Sequence, residues 1–387
     1  MKKQENSLGP IQIIWQKLKN KGVDKMLKFG IVGASKGAFI SDVHIRGIEA
    51  THRAKLVAGC FSRHLEKNAE AAEYRGVSSE RTYATAFEMA EAEGKREDGI
   101  DFVVITTPNV FHYEIAKAFL NAGINVSSDK PVTTDESQAL ELQKLAKEKG
   151  LKFCVTFTYA GYPALQHARE IIKRGDLGDI VMIMGEYVQD WLAGNTGMPP
   201  WRTDPKLVGK MNSLADIGSH VAFTVNYLTG LEMSEACCEL DNVGGYKTDT
   251  NSSVLLKYNN GATGIIWASQ IAHGNDNGIR IRIYGTKGSI EWRNEEAEVF
   301  NMTLEGYPTM LISKGRQYKM PYSSSGRLPA GHHEGLYYAF ANIYEEFLKD
   351  LEGEKAGYYP NIQDGVRIMH WLDSCWDSNK KHSWVKL

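Results

Sequence analysis

The chain has 387 residues, with 45 basic against 47 acidic side chains and a formal net charge of −2. That balance leaves no basic excess to neutralise phosphates and so excludes a general nucleic-acid binder, while 42% hydrophobic residues exclude a disordered chain. At about 150 residues per domain, the length asks for two or three domains.

Residues 1–25 carry Ile11, Ile14, Trp15 and Leu18 at helical spacing among lysines. They read as a terminal extension, or as an arm that crosses onto another subunit. At Leu27 the pattern changes. Leu27–Gly33 is a short apolar strand running into a glycine turn, and a helix is expected from about Gly37 to Glu49. Ala54–Cys60 is a second strand, followed by a charged helix over His64–Tyr74. Ile100–Ile105 is a third, with a helix over Asn109–Asn121 that Ala122-Gly123 stops. Ile124–Val126 is a strand and Thr134–Lys149 a helix closed by Gly150. Strands alternating with helices of about a dozen residues predict βαβ units and a parallel sheet over 26–150.

Beyond Gly150 the signals shift. Leu151–Thr158 reads as a strand and Pro163–Arg174 as a helix. Strands then cluster at Ile180–Gln189, Ser252–Tyr258, Gly264–Ile271, Ile279–Tyr284, Gly288–Trp292 and Glu298–Leu304. Turn pairs such as Asn260-Gly261 and Lys287-Gly288 separate them, as in an antiparallel meander. Helices return at Asp216–Leu228, Gly335–Leu351 and Asn361–Ser378. The fold class is α/β: a doubly wound first domain, then an α+β domain over 151–387 with one large, mostly antiparallel open sheet. The last helices are free to pack back on the first domain.

Gly33-Ala34-Ser35-Lys36-Gly37-Ala38-Phe39 follows the first strand and opens a helix. The dinucleotide fingerprint asks for glycine at 33, 35 and 38; here those positions hold Gly, Ser and Ala. All three are small enough for a backbone that approaches a pyrophosphate at a helix N-terminus. The second strand ends in Phe61-Ser62-Arg63, with no acid to favour the 2′-hydroxyl of NAD. Arg63 either pairs with a 2′-phosphate or faces solvent, so NAD and NADP both stay open. Thr107, Pro108, Asn109 and His112 lie at the C-terminal end of the third strand, where open α/β sheets bind ligands, although Asn109 also serves as a helix N-cap. Asp129-Lys130-Pro131 follows the next strand at the same edge.

These segments, together with Asp216-Ile217-Gly218-Ser219-His220 in the second domain, resemble the glucose–fructose oxidoreductase / inositol 2-dehydrogenase (Gfo/Idh/MocA) family in motif order and spacing. The resemblance runs from about Leu27 to the end of the chain. Two departures stand out. The family's Glu-Lys-Pro is Asp129-Lys130-Pro131 here, and the glycine fingerprint is weakened. The resemblance implies a Rossmann domain and an NAD(P)-dependent dehydrogenase or reductase acting on a secondary hydroxyl of a sugar, glycoside, inositol or related polyol, with 3-keto glycoside formation among its variants. It also implies that Lys130, Asp216 and His220 face the nicotinamide across the domain cleft. An imidazole suits the role of base near neutral pH, with one ionisation expected there. Asp216, four residues before His220, shares its face if the segment is helical.

Tyr159, Trp191, Trp201 and Arg202 offer aromatic faces and a cation to a sugar ring, or else simple packing. Gly331-His332-His333-Glu334 caps a helix or reaches the substrate, and no third ligand joins its histidines at a metal spacing. Cys60, Cys154, Cys237, Cys238 and Cys375 form no CxxC pair, so neither a disulfide framework nor a structural zinc is expected. No run approaches 18 apolar residues, so the chain reads as cytoplasmic and free of the membrane. An open sheet with one helix-covered face predicts a homodimer or homotetramer. Two rivals remain: a nucleotide-binding sensor without turnover, and a reductase of an imine or unsaturated ring that needs no such base.

Overall fold

The computed structural model describes residues 26–194, 200–319 and 326–387, without the side chains of Pro200 and Trp201. The expected helix and arm over 1–25 lie outside the described residues.

The first sheet is five-stranded and wholly parallel, in the order β2-β1-β3-β4-β5. Its strands are β1 (Leu27–Val32), β2 (Ala54–Cys60), β3 (Phe102–Ile105), β4 (Asn125–Ser128) and β5 (Phe153–Val155). Between them run α1 (Phe39–Glu49), α2 (Leu65–Tyr74), α3 (Ala86–Lys95), α4 (His112–Asn121) and α5 (Glu136–Lys149). Alternation along the strands sorts the core into two layers. Phe29, Ile31, Phe102 and Val104 point to one face, while Val103, Ile105 and Val126 point to the other. The expected strand at 151–158 shortens to β5, which completes this parallel sheet. Helix α3 was not expected. Thr85 caps it by accepting from Glu88 N–H, and the Glu88 side chain accepts from Thr85 N–H.

The second sheet has nine strands, in the order β13-β12-β11-β10-β6-β9-β8-β7-β14. They are β6 (Ile180–Val188), β7 (Met233–Asp241), β8 (Asn251–Tyr258), β9 (Thr263–Ser269), β10 (Gly278–Gly285), β11 (Gly288–Arg293), β12 (Phe300–Leu304), β13 (Met310–Ile312) and β14 (Val385–Lys386). Every pairing is antiparallel except β6 with β9. Helices α6 (Pro163–Lys173), α8 (Ser219–Thr229) and α10 (Ile362–Lys381) cover its inner face; a short α7 (Pro205–Val208) lies over the cleft between the sheets.

Helix α9 (Gly335–Leu351) returns to the first sheet and packs along α1. The approach is close. A Cβ at Gly47 would stand 2.7 Å from Phe340 Cβ, so the position tolerates nothing larger than glycine without a shift.

Candidate active site

A cleft of about 1030 Å³ opens at the C-terminal ends of β1, β3 and β4 and is closed on its far side by the second sheet. Its floor on the nucleotide side is the turn after β1. Gly33 sits there at φ +96°, in the left-handed region, and a Cβ on it would stand 3.0 Å from the Thr106 carbonyl. The turn leads to Ala38, which caps α1 with no side-chain bond, so the first-turn amides of α1 stay open toward the cleft. A glycine cradle under an uncapped helix N-terminus fits a dinucleotide pyrophosphate. Ser35, Gly37, Ala38, Phe39, Thr107, Pro108, Asn109, Asp129 and Lys130 all line this part.

Asn109 is not a helix N-cap. It begins a 3₁₀ turn (Asn109–Phe111), and its Nδ2 donates to Val208 O at 3.2 Å, joining the two walls of the cleft. Asp129 Oδ1 accepts from Lys130 N–H at 2.9 Å, so the shortened acid serves the loop that presents the lysine.

Other nucleotide-side candidates stand elsewhere. Lys36 turns outward to an ion pair with Glu70 at 2.8 Å. His112 is buried, with its ring nitrogens 2.9 Å from Pro131 O and 2.8 Å from Thr107 O, and so ties two cleft loops from behind. Burial depresses its pKa despite Asp129 and those carbonyls. Ser62 and Arg63 lie at the end of β2 outside the cleft lining, where Arg63 is exposed.

Lys130, Asp216 and His220 meet in the cleft. Asp216 belongs to a π-helical turn, Leu214–Gly218, that leads into α8, rather than to the expected regular helix. Lys130 Nζ donates to Asp216 Oδ1 at 2.7 Å and to Asp216 O at 2.5 Å. Burial alone would raise the Asp216 pKa, but the Lys130 and Arg202 cations outweigh it and bring it down to about 2. The carboxylate is therefore ionised at every working pH. His220 stands edge-on to Tyr159, with ring centroids 5.2 Å apart. Its Nδ1 is buried and has no hydrogen-bond partner among the described residues. Burial first, then the Lys130 charge, holds its pKa well below 6.5 against the opposing pull of Asp216. The ring is a neutral acceptor at pH 7, and its ionisation falls below the near-neutral value expected from the motif.

Tyr159, Trp191 and Arg202 also line the cleft, whereas the Trp201 side chain lies outside the described residues. His332 is exposed in the turn before α9 and does not reach the lining. Sequence reasoning missed a polar wall. Asn277 Oδ1 accepts from Tyr187 Oη at 2.6 Å and from Gln189 Nε2 at 2.9 Å, and Trp191 Nε1 donates to Gln189 Oε1 at 2.8 Å. It also missed Gln270, whose Nε2 donates to Asp216 Oδ2 at 2.9 Å. These residues sit at strand ends far apart in the chain, and no local motif marks them.

The model of the oxidoreductase family with an NAD-binding Rossmann fold matches residues 27–157, and that of the GFO/IDH/MocA C-terminal domain matches residues 165–291. The uncharacterized oxidoreductase YfiI of Bacillus subtilis is 32% identical, with 94% of this chain and 98% of that protein covered. Levoglucosan dehydrogenase of Pseudarthrobacter phenanthrenivorans is 27% identical over 74% of this chain and 80% of its own. The structure of an inositol dehydrogenase homolog from Azotobacter vinelandii, complexed with NADH and myo-inositol, is similar at a TM-score of 0.87 and 26% identity, covering 93% of this chain and 97% of that one. Two matched domains, one relative aligned nearly end to end and a cleft built for a dinucleotide agree: the chain belongs to the Gfo/Idh/MocA family and is an NAD(P)-dependent dehydrogenase or reductase.

Proposed function

We propose that the protein interconverts a secondary hydroxyl and a keto carbon on a sugar, glycoside, inositol or related polyol in the cytoplasm, with Lys130, Asp216 and His220 as the proton-handling set. The observation that carries this reading is the meeting of an ionised carboxylate, a lysine and a neutral histidine in the cleft that also holds the glycine cradle. A bound nicotinamide supplies the two-electron hydride acceptor or donor. In the oxidative direction the hydroxyl proton passes to Nε2 of His220, the ring nitrogen other than the buried Nδ1. Lys130 donates a hydrogen bond to the reacting oxygen and holds its orientation. Asp216 keeps Lys130 in place, and the Tyr187–Asn277–Gln189 wall meets the remaining hydroxyls. Myo-inositol, levoglucosan, D-xylose and methyl D-glucoside, each tried with NAD and NADP at 340 nm, test the class. Tight nucleotide binding with no rate on any cyclic polyol would discard it.

Selectivity between the nucleotides is read at the end of β2. Asn68 Oδ1 fixes the backbone there by accepting from Phe61 and Ser62 N–H, at 2.7 and 3.1 Å. Arg63, exposed just beyond that strand end, is the cation this reading assigns to a 2′-phosphate. NADP is expected to bind at least as well as NAD. Arg63→Ala should lower the NADP-to-NAD affinity ratio about tenfold, the worth of one charge-assisted hydrogen bond. An unchanged ratio in titrations of both nucleotides would remove Arg63 as the reader.

The outer face of the second sheet supports a dimer or tetramer. Leu255 pairs with Ile265 and Ile265 with Met184, giving an apolar strip across three strands, with Trp267 beside it on β9; Leu255 is 48% exposed and Trp267 37%. Sedimentation at micromolar protein should give at least twice the chain mass, and Leu255→Arg should lower it. A monomer in the unaltered protein would overturn the assembly.

A further inference from the structure

Both oxygens of the Asp216 carboxylate are held by side chains from distant parts of the fold. Lys130 takes Oδ1, and Gln270 Nε2 takes Oδ2. Gln270 follows β9 directly and is fully buried. Its remaining amide atom, Oε1, accepts from Asn212 Nδ2 at 2.6 Å. The amide therefore cannot turn over without losing both bonds. Asn212 is itself fixed, since its N–H donates to Asp249 Oδ1 at 2.6 Å. Asp249 Oδ2 accepts from the N–H of Leu214, the first residue of the π turn, at 2.8 Å. Side-chain donors and acceptors thus run one way, from Asn212 to Gln270 to Asp216.

We propose that Gln270 is a positioning residue that fixes the Asp216 carboxylate with Oδ2 toward the protein and Oδ1 on Lys130. A carboxylate at the cleft wall with a single partner is free to rotate about Cβ–Cγ; a second, buried donor removes that freedom. Lys130, Arg202, His220 and Tyr187 are the other charged or titratable groups that act on Asp216. The Gln270 backbone is held independently of its side chain. Its N–H donates to Thr250 O at 2.8 Å, and its carbonyl accepts from Leu192 N–H at 2.9 Å. A side-chain substitution therefore leaves the Trp191 wall in place. The proposal rests on the reading of Asp216 as part of the proton-handling set.

The test needs no known substrate. Carboxyl-¹³C aspartate spectra of the whole protein are followed against pH, with the Asp216 signal identified by its loss in Asp216→Asn. Gln270→Leu removes one hydrogen bond to the charged form and should raise the proton affinity of Asp216 about tenfold. Gln270→Glu has the same volume and decides the matter if the leucine variant fails to fold. It sets a second carboxylate against Oδ2, so the pair holds one proton and the Asp216 signal should move at higher pH than in the unaltered protein. An unchanged Asp216 titration in the folded variants overturns the proposal. Turnover on the fastest of the four alcohols supplies the second readout. In Gln270→Leu the loss should follow that of Asp216→Asn, weighted toward the KM for the alcohol and no larger than about tenfold in kcat/KM, while the KM for NAD stays within about twofold. The Gln270→Leu/Asp216→Asn double variant should be no slower than Asp216→Asn alone; additive losses mean that Gln270 acts elsewhere and overturn it as well. If Asp216→Asn leaves turnover intact, the reading of the proton-handling set fails, and the carbon spectra still decide the role of Gln270.

Discussion

His220→Ala should lower kcat by roughly 10²–10⁴-fold, the usual loss when a general base is removed, while the nucleotide binds as before. Lys130→Ala should fall in the same range, because the lysine orients the oxygen whose proton His220 accepts. Two groups that serve one proton transfer act as a unit, so the double variant should be little worse than the more damaged single. Asp216→Asn keeps the Gln270 contact but loses the charge that holds Lys130 at 2.7 Å, and its effect should be milder and weighted toward KM. The pH profile carries a second signature. Burial holds the His220 pKa well below 6.5, so the base is neutral at pH 7 and becomes protonated only under acid conditions. Accordingly kcat/KM should stay level from neutrality downward and fall on the acid side, and that limb should vanish in His220→Ala. Full activity in His220→Ala would move the base role to Lys130, and full activity in both single variants would discard the site.

The alternation of strands and helices over 26–150 was legible because each βαβ unit buries one face and closes at a marked turn. Gly150, for example, ends α5 in the left-handed region at φ +65°. The missed pieces carry weaker patterns. β7 reads Met-Ser-Glu-Ala-Cys-Cys-Glu-Leu-Asp, with small buried residues and acids between them, and its pairing with β8 and β14 makes it a strand. Helix α3 has an interior glycine and little apolar contrast, yet its Thr85-x-x-Glu88 capping box was a usable signal. The motif residues Lys130, Asp216 and His220 come together as their order implied. Gln270 and Asn277 were not legible. They reach the cleft through the order of strands in the second sheet, which a single sequence does not specify. The geometry also separates two histidines with similar motif credentials. Both ring nitrogens of His112 lie against backbone carbonyls behind the cleft, whereas His220 lines it.

A third histidine is expected to weaken the fold in acid. His44 on α1 is completely buried; its Nδ1 lies 2.6 Å from Tyr344 Oη, which is 2.9 Å from Ser127 Oγ. Its Nε2 has no hydrogen-bond partner among the described residues and stands 4.0 Å from Asp129 Oδ1. Burial pushes the pKa of His44 from 6.5 down to about 4, a shift that Asp129 opposes and His112 reinforces. In the unfolded chain the ring titrates near 6.5, so between about pH 6.5 and 4 the unfolded state binds the extra proton. His44 therefore destabilises the fold progressively as pH falls through that window and adds no further change below about 4. The pKa difference corresponds to roughly 3 kcal/mol over the window. The ring joins α1 to α9 and, through Tyr344, to Ser127 of β4. Urea unfolding at pH 7 and pH 4.5, at fixed protein concentration and without nucleotide, measures the loss. His44→Gln keeps a hydrogen-bonding group for Tyr344 but cannot take up the proton, so its stability should fall less between the two pH values, by roughly 2 kcal/mol. Equal losses in the two proteins would place the acid sensitivity on other groups, either the buried histidines His112, His167 and His220 or carboxylates that ion pairs hold low, such as Glu141 and Glu291.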